Sequence, residues 1–75
     1  MAMVNGTHLE CLASDVTVGY LMDGEMRGKI SVRGGRTVIV AFANGPRVWE
    51  VALSPRAARQ LMEITEAAAR LAEGR

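Results

Sequence analysis

The stretch Val48-Trp49-Glu50-Val51-Ala52-Leu53-Ser54-Pro55-Arg56 constrains the fold more than any other part of the chain. Arg47 to Leu53 reads as a strand in which Trp49 shares the parity of Val51 and Leu53. Ser54 is a good N-cap, because its hydroxyl can accept a hydrogen bond from an otherwise unpaired first-turn N–H. Pro55 suits the first helical position, where its missing N–H costs nothing and its fixed φ is already helical. A strand therefore runs directly into a helix. That helix is expected to continue to about Glu73, with Gly74 as its stop.

Upstream, the apolar pattern has a period of two. Val16, Val18 and Tyr20 alternate with Thr17 and Gly19, a strand ending at the Asp23-Gly24 turn signal. Met26, Ile30 and Val32 alternate with Arg27, Lys29, Ser31 and Arg33, a second strand ending at Gly34-Gly35. Thr37 to Ala43 is apolar at nearly every position and reads as a central strand. Asn44-Gly45-Pro46 turns the chain into the last strand, Arg47 to Leu53. Such short turns mean an antiparallel meander. Residues 1–6 lack periodicity and read as a loose start, leaving residues 7–75 as a single small domain. Within it, Thr7-His8-Leu9-Glu10 has the spacing of a capping box and could open a short helix through Ala13. A strand with Leu9, Cys11 and Ala13 on one face competes with that reading and is preferred. The expected fold is α+β, with four or five antiparallel strands and one long C-terminal helix packed on one sheet face.

The turn lengths pose a conflict. If Gly34-Gly35 is a two-residue loop, Val32 faces Thr37 and Ile30 faces Ile39, since opposed residues share a face. A two-residue Asn44-Gly45 loop pairs Val40 with Trp49 and Val38 with Val51. One face is then Val38, Val40, Phe42, Trp49, Val51 and Leu53, interrupted by Arg27, Lys29 and Arg33. The other holds Ile30, Val32, Ile39 and Val48. Either a bulge or three-residue loop at the glycines segregates the faces, which suits a monomer, or both faces are apolar and the back of the sheet needs a partner.

The helix is amphipathic. Ala57, Leu61, Ile64, Ala68 and Leu71 follow the spacing of a buried stripe, with Arg56, Arg59, Glu63, Glu66, Arg70 and Glu73 opposite. Arg59–Glu63 and Glu66–Arg70 have the spacing of i,i+4 ion pairs. Ala58, Met62 and Ala69 widen the apolar arc beyond what one sheet face needs.

Length explains why that surplus matters. A chain of 75 residues buries only about 60% of its unfolded surface, so it is marginally stable alone. The single Cys11 permits no internal disulfide, and with only His8 beside it a Cys/His zinc site is out of reach. Self-association is the remaining device, through Ile39 and Val48 on the sheet or Ala58, Met62 and Ala69 on the helix. No run approaches the ~18 apolar residues of a membrane span, and no charged-then-apolar leader is visible, so a cytoplasmic protein is expected.

Few residues could carry chemistry. Arg27, Lys29 and Arg33 share one side of a strand, and Arg36 and Arg47 begin the next two. Such a row could follow the phosphates of a single-stranded nucleic acid. Charged edge strands also simply discourage aggregation, and a net charge of +1 with no exposed aromatic beside the row favours that plainer reading. Arg56 and Arg59 at the helix start could hold an anion, but an ordinary capped helix with two surface arginines is the preferred reading. Trp49 could stack on a base, though its parity with Val51 and Leu53 places it in the core. Nothing suggests a lowered pKa at Cys11, His8 has no acid–base partner, and Asp23 and Glu25 flank a turn. Gly34-Gly35 lacks the spacing and the lysine of a phosphate loop. No cofactor, metal or enzymatic activity is expected.

The ending Val51-Ala52-Leu53-Ser54-Pro55-Arg56-Ala57-Ala58-Arg59-Gln60-Leu61 resembles a recurring one in small uncharacterised actinobacterial and actinophage proteins, where a strand leads through Leu-Ser-Pro into an Ala/Arg-rich helix. That likeness covers the last third of the chain and implies no function. The order of four strands and a helix, with the Leu53-Ser54 helix entry, is similar to the single-strand-DNA-binding transcriptional coactivator family. This second resemblance implies a helix-mediated dimer that binds single strands on a curved sheet. The family's Gly/Lys-rich approach to the last strand and its exposed strand aromatics have no counterpart here, so no binding residue carries over. The leading expectation is a non-catalytic interaction or regulatory module acting as a homodimer. The alternative is single-stranded nucleic-acid binding through the basic row.

Overall fold

A computed structural model of the protein describes residues 15–74. The expectations for residues 1–6 and for a helix or strand at 7–13 lie outside the described residues, as do His8 and Cys11. Strands β1 (Asp15–Asp23), β2 (Met26–Arg33), β3 (Thr37–Asn44) and β4 (Arg47–Leu53) precede helix α1 (Pro55–Gly74). The strands form one antiparallel sheet in the order β1-β2-β3-β4, the expected meander.

The β2–β3 turn settles how the faces divide. Arg33 pairs with Thr37, so the loop is the three-residue Gly34-Gly35-Arg36. Both glycines take positive φ (63° and 73°), and the Arg36 N–H donates to the Arg33 carbonyl at 3.3 Å. Positive φ at two successive positions is open to glycine at no steric cost. The extra loop residue shifts the pairing to Ile30 with Val40 and Val32 with Val38. Every β2 side chain therefore lies on the opposite face from the one a two-residue loop would give it. The faces are segregated.

The β3–β4 turn corrects a register. Its two residues are Gly45 and Pro46, so Val40 faces Val51 and Phe42 faces Trp49. An Asn44-Gly45 loop would have placed Pro46 in the ladder, where it has no N–H to donate. Instead Gly45 takes φ 61° at the first loop position and Pro46 follows with its fixed negative φ.

The front face then carries Val16, Gly19 and Leu21 from β1, Gly28, Ile30 and Val32 from β2, Val38, Val40 and Phe42 from β3, and Trp49, Val51 and Leu53 from β4. The back face carries Arg27, Lys29, Ser31 and Arg33 on β2, with Ile39, Ala41 and Ala43 beside them on β3. In β1 the register passes from Thr17↔Ser31 to Gly19↔Ile30, skipping Val18. This bulge reverses the parity of the rest of the strand, so Val16 faces forward while Tyr20 and Met22 face backward. The simple alternation expected for Val16, Val18 and Tyr20 is overturned there.

Helix α1 begins as its sequence predicts. The Ala57 N–H donates to Ser54 Oγ at 3.1 Å, and the Ala58 N–H donates to the Ser54 carbonyl at 2.9 Å. The helix packs on the front of the sheet. Glu66 and Arg70 meet at 2.9 Å, whereas Arg59 and Glu63 do not form the pair their spacing predicts. No described helix is long and apolar enough to cross a membrane.

Candidate interaction surfaces

Helix α1 leans on the sheet without closing against it. Ala58, Leu61, Met62 and Thr65 stand over Ile30, Val38, Val40 and Phe42, and the two layers enclose an open wedge of about 390 Å³. Thr65 supplies the single side-chain hydroxyl in this lining. No residue of α1 beyond Thr65 lines the wedge. A 20-residue helix is about 30 Å long and an eight-residue strand about 26 Å, so the two stacked side by side would not span the 54 Å of the molecule's longest dimension. The helix overhangs.

The burial pattern follows. No residue of α1 is buried. Leu61 is 45% exposed, Met62 61%, Ile64 68% and Leu71 83%. Of the stripe expected to meet the sheet, Ala57-Leu61-Ile64-Ala68-Leu71, only Leu61 lines the wedge. Successive residues turn 100° on a helix, so the stripe's centre lies about 90° around the axis from the positions that touch the sheet. The physical reason is the wide apolar arc: two adjacent stripes both satisfy 3-and-4 spacing, and the sheet takes the one containing Ala58 and Met62. Trp49, expected in the core, is 47% exposed on the edge strand β4, and Val51 is similarly open.

The back face is different in kind. Ser31 and Ile39 oppose one another at its centre and are both buried, Ile39 to 2% exposure. Asp15 accepts two hydrogen bonds from Arg33, Nε–Oδ1 at 2.7 Å and Nη2–Oδ2 at 3.0 Å. Arg33 also reaches Glu50 at 3.7 Å. The line from β2 to β4 between those two side chains crosses β3 at Ile39. The Arg33 guanidinium bonded to Asp15 holds its carboxyl below the usual carboxylate range, against a smaller opposing effect of desolvation, and Lys29 adds to the lowering.

The basic row divides on inspection. Arg27, Lys29 and Arg33 do share the back face, but Arg33 is held by Asp15 and Glu50. Arg27 donates to the Gly24 carbonyl at 2.9 Å and approaches the Met26 carbonyl at 3.4 Å. Arg36 sits in the β2–β3 loop and Arg47 starts β4 at the opposite end of the sheet, on the front-face parity. The five residues are not brought into one row. The bulge adds a residue that sequence reasoning missed: Tyr20, 74% exposed, lies on the back face directly opposite Lys29. A glycine inside a strand pattern, Gly19, was the available signal. Beside this pair Arg27, Lys29, Ala41, Ala43 and Val48 line a shallow depression of about 190 Å³.

The other expected interface residues also fall on different surfaces. Ile39 and Val48 are on the back, one buried and one exposed; Ala58 and Met62 line the wedge; Ala69 is exposed on the overhang. Arg56 and Arg59 are exposed in the first helical turns, which contain no acidic residue. Among the described residues no group of three or more His, Cys, Asp or Glu could hold a metal ion. No family model matches the chain, and no curated protein or solved structure matches it.

Proposed function

We propose that this protein is a non-catalytic interaction or regulatory module of the cytoplasm that acts as a homodimer through its helix side. The observation that carries this reading is the unfinished packing of α1, a capped 20-residue helix with no buried residue and with Leu61, Ile64 and Leu71 open to solvent. Each such side chain would gain about 1.5–3 kcal/mol on full burial, a large fraction of what a domain this small can muster. The helix side is preferred to the back of the sheet because Arg27, Lys29, Arg33 and Glu50 stand among the exposed apolar residues Tyr20, Met22 and Val48 on that face. Dimerisation linked to folding makes the thermal midpoint rise with protein concentration. Midpoints that stay constant from about 5 to 500 μM, by circular dichroism, would remove the homodimer.

A second reading is supported by Tyr20. An exposed ring opposite Lys29, with Arg27 one pair further along, combines a stacking surface with cations in the way single-strand binders do. Glu50 in the same transverse row as Lys29 opposes it. Anisotropy of a labelled thymine oligonucleotide tests it: Tyr20→Ala and Lys29→Glu should each weaken binding, and Lys29→Glu should flatten its salt dependence. Equal binding by all three proteins removes the back face from consideration.

A further inference from the structure

Resting on the homodimer reading, we infer that the partner is a second copy whose α1 lies antiparallel along the stripe Ala57-Leu61-Ile64-Ala68-Leu71. The intervals of four, three, four and three are those of a heptad seam, with Leu61 and Ala68 at one core position and Ala57, Ile64 and Leu71 at the other. Leu61 borders the wedge, whereas the seam's other large residues, Ile64 and Leu71, do not line it and are 68% and 83% exposed.

Three observations select a second copy. The charged residues Arg59, Glu63, Glu66, Arg70 and Glu73 all lie off the seam, and the positions flanking it on the open side, Gln60 and Ala67, are uncharged. Two identical helices can therefore meet without opposing like charges, which a two-fold interface requires. Next, Ala67, Ala68 and Ala72 on and beside the C-terminal half of the seam are small and allow close approach. Finally, the area is adequate for a modest dimer. One side of the helix offers about 300–500 Å². With Trp49 and Val51 beside the wedge, the total nears the roughly 600 Å² per partner at the low end of specific interfaces. Micromolar affinity is the corresponding expectation.

Direction follows from side-chain volume. In an antiparallel pair the two core positions alternate across the seam, so Leu61 meets the partner's Leu71 and Ile64 meets the partner's Ala68. Each of the four layers from Leu61 to Leu71 then holds at least one large side chain. A parallel pair would stack Ala68 on the partner's Ala68 and leave a gap between two larger layers. Antiparallel helix dipoles add a small favourable contribution.

Disulfide trapping in a Cys11→Ser background tests this. Leu61→Cys and Leu71→Cys are ten residues apart, about 15 Å along one helix, beyond the ~7 Å a disulfide can bridge within a chain. The double variant should oxidise to a covalent dimer, and Leu71→Cys alone should not. Trapping by Leu71→Cys alone would mean parallel helices and overturn the inference. Failure of both to trap, with sedimentation still reporting dimers, would place the interface elsewhere and overturn the seam while the homodimer stands. Monomers throughout would overturn both.

Discussion

The centre of the sheet and the helix that crosses it are built from similar residues and end in opposite conditions. Ile39 and Val40, adjacent on β3, are 2% and 7% exposed on opposite faces, hemmed in by neighbouring strands on both sides. Ile64 and Leu71 on α1 are as apolar and lie mostly in water. A central strand acquires neighbours from its own hairpins, whose turns are three residues or fewer. A terminal helix acquires them only where the sheet extends beneath it. The helix therefore carries an apolar surface that the described residues do not cover.

This contrast can be broken by substitution. Ile39→Ala should cost about 2–4 kcal/mol in urea denaturation, the range for a buried aliphatic residue. Ile64→Ala, measured at a concentration where the chain is monomeric, should stay within about 0.5 kcal/mol of the parent. Comparable losses at the two sites would mean that the helix is packed after all. Gly28→Ala probes the front of the sheet, because an added Cβ would sit 2.9 Å from Leu21 Cγ and Cδ2 and 3.4 Å from Phe42 Cδ1. Leu21 is partly exposed and can swing aside, so a destabilisation of about 1 kcal/mol is expected by the same titration. A gain in stability would show that the crowding relaxes freely. Ser54→Ala removes the hydroxyl that accepts the Ala57 N–H and should cost about 1 kcal/mol, lowering helix content near the junction.

The smallest effect is the pH response of the back face. Folding depresses the Asp15 carboxyl below its ordinary 3.8, so the stabilisation from the Arg33 pair is fully present above that value. It is lost as pH falls through the lower, folded value. Asp15→Asn should therefore flatten the acid limb of stability below about pH 4 and leave the neutral region little changed. An unchanged acid limb would mean that the pair is screened by solvent.

Legibility in the sequence varied with the physics. The four strands, their antiparallel order and the capped helix followed from glycine turns, period-two patterning and Ser54-Pro55, each a local signal. The facing of β2 did not, because one loop residue at Gly34-Gly35-Arg36 reverses an entire strand. The bulge at Val18 acted likewise and put Tyr20 beside Lys29 rather than with Val16. On the helix, periodicity identified an apolar arc but could not choose which of two adjacent stripes the sheet would take. That choice depends on the crossing geometry. Period-two spacing placed Arg27, Lys29 and Arg33 on one face, but it could not show that Arg36 and Arg47 lie at opposite ends of the sheet or that Arg33 is bound by carboxylates.

Sedimentation equilibrium of the full chain over about 5 to 500 μM, beside the Ile64→Glu/Leu71→Glu double variant, tests the homodimer most directly. The expected result is a shift of the parent to twice its chain mass across that range while the variant, folded by circular dichroism, remains at the single-chain mass. A parent that stays monomeric throughout, or a variant that dimerises as well as the parent, would contradict the account.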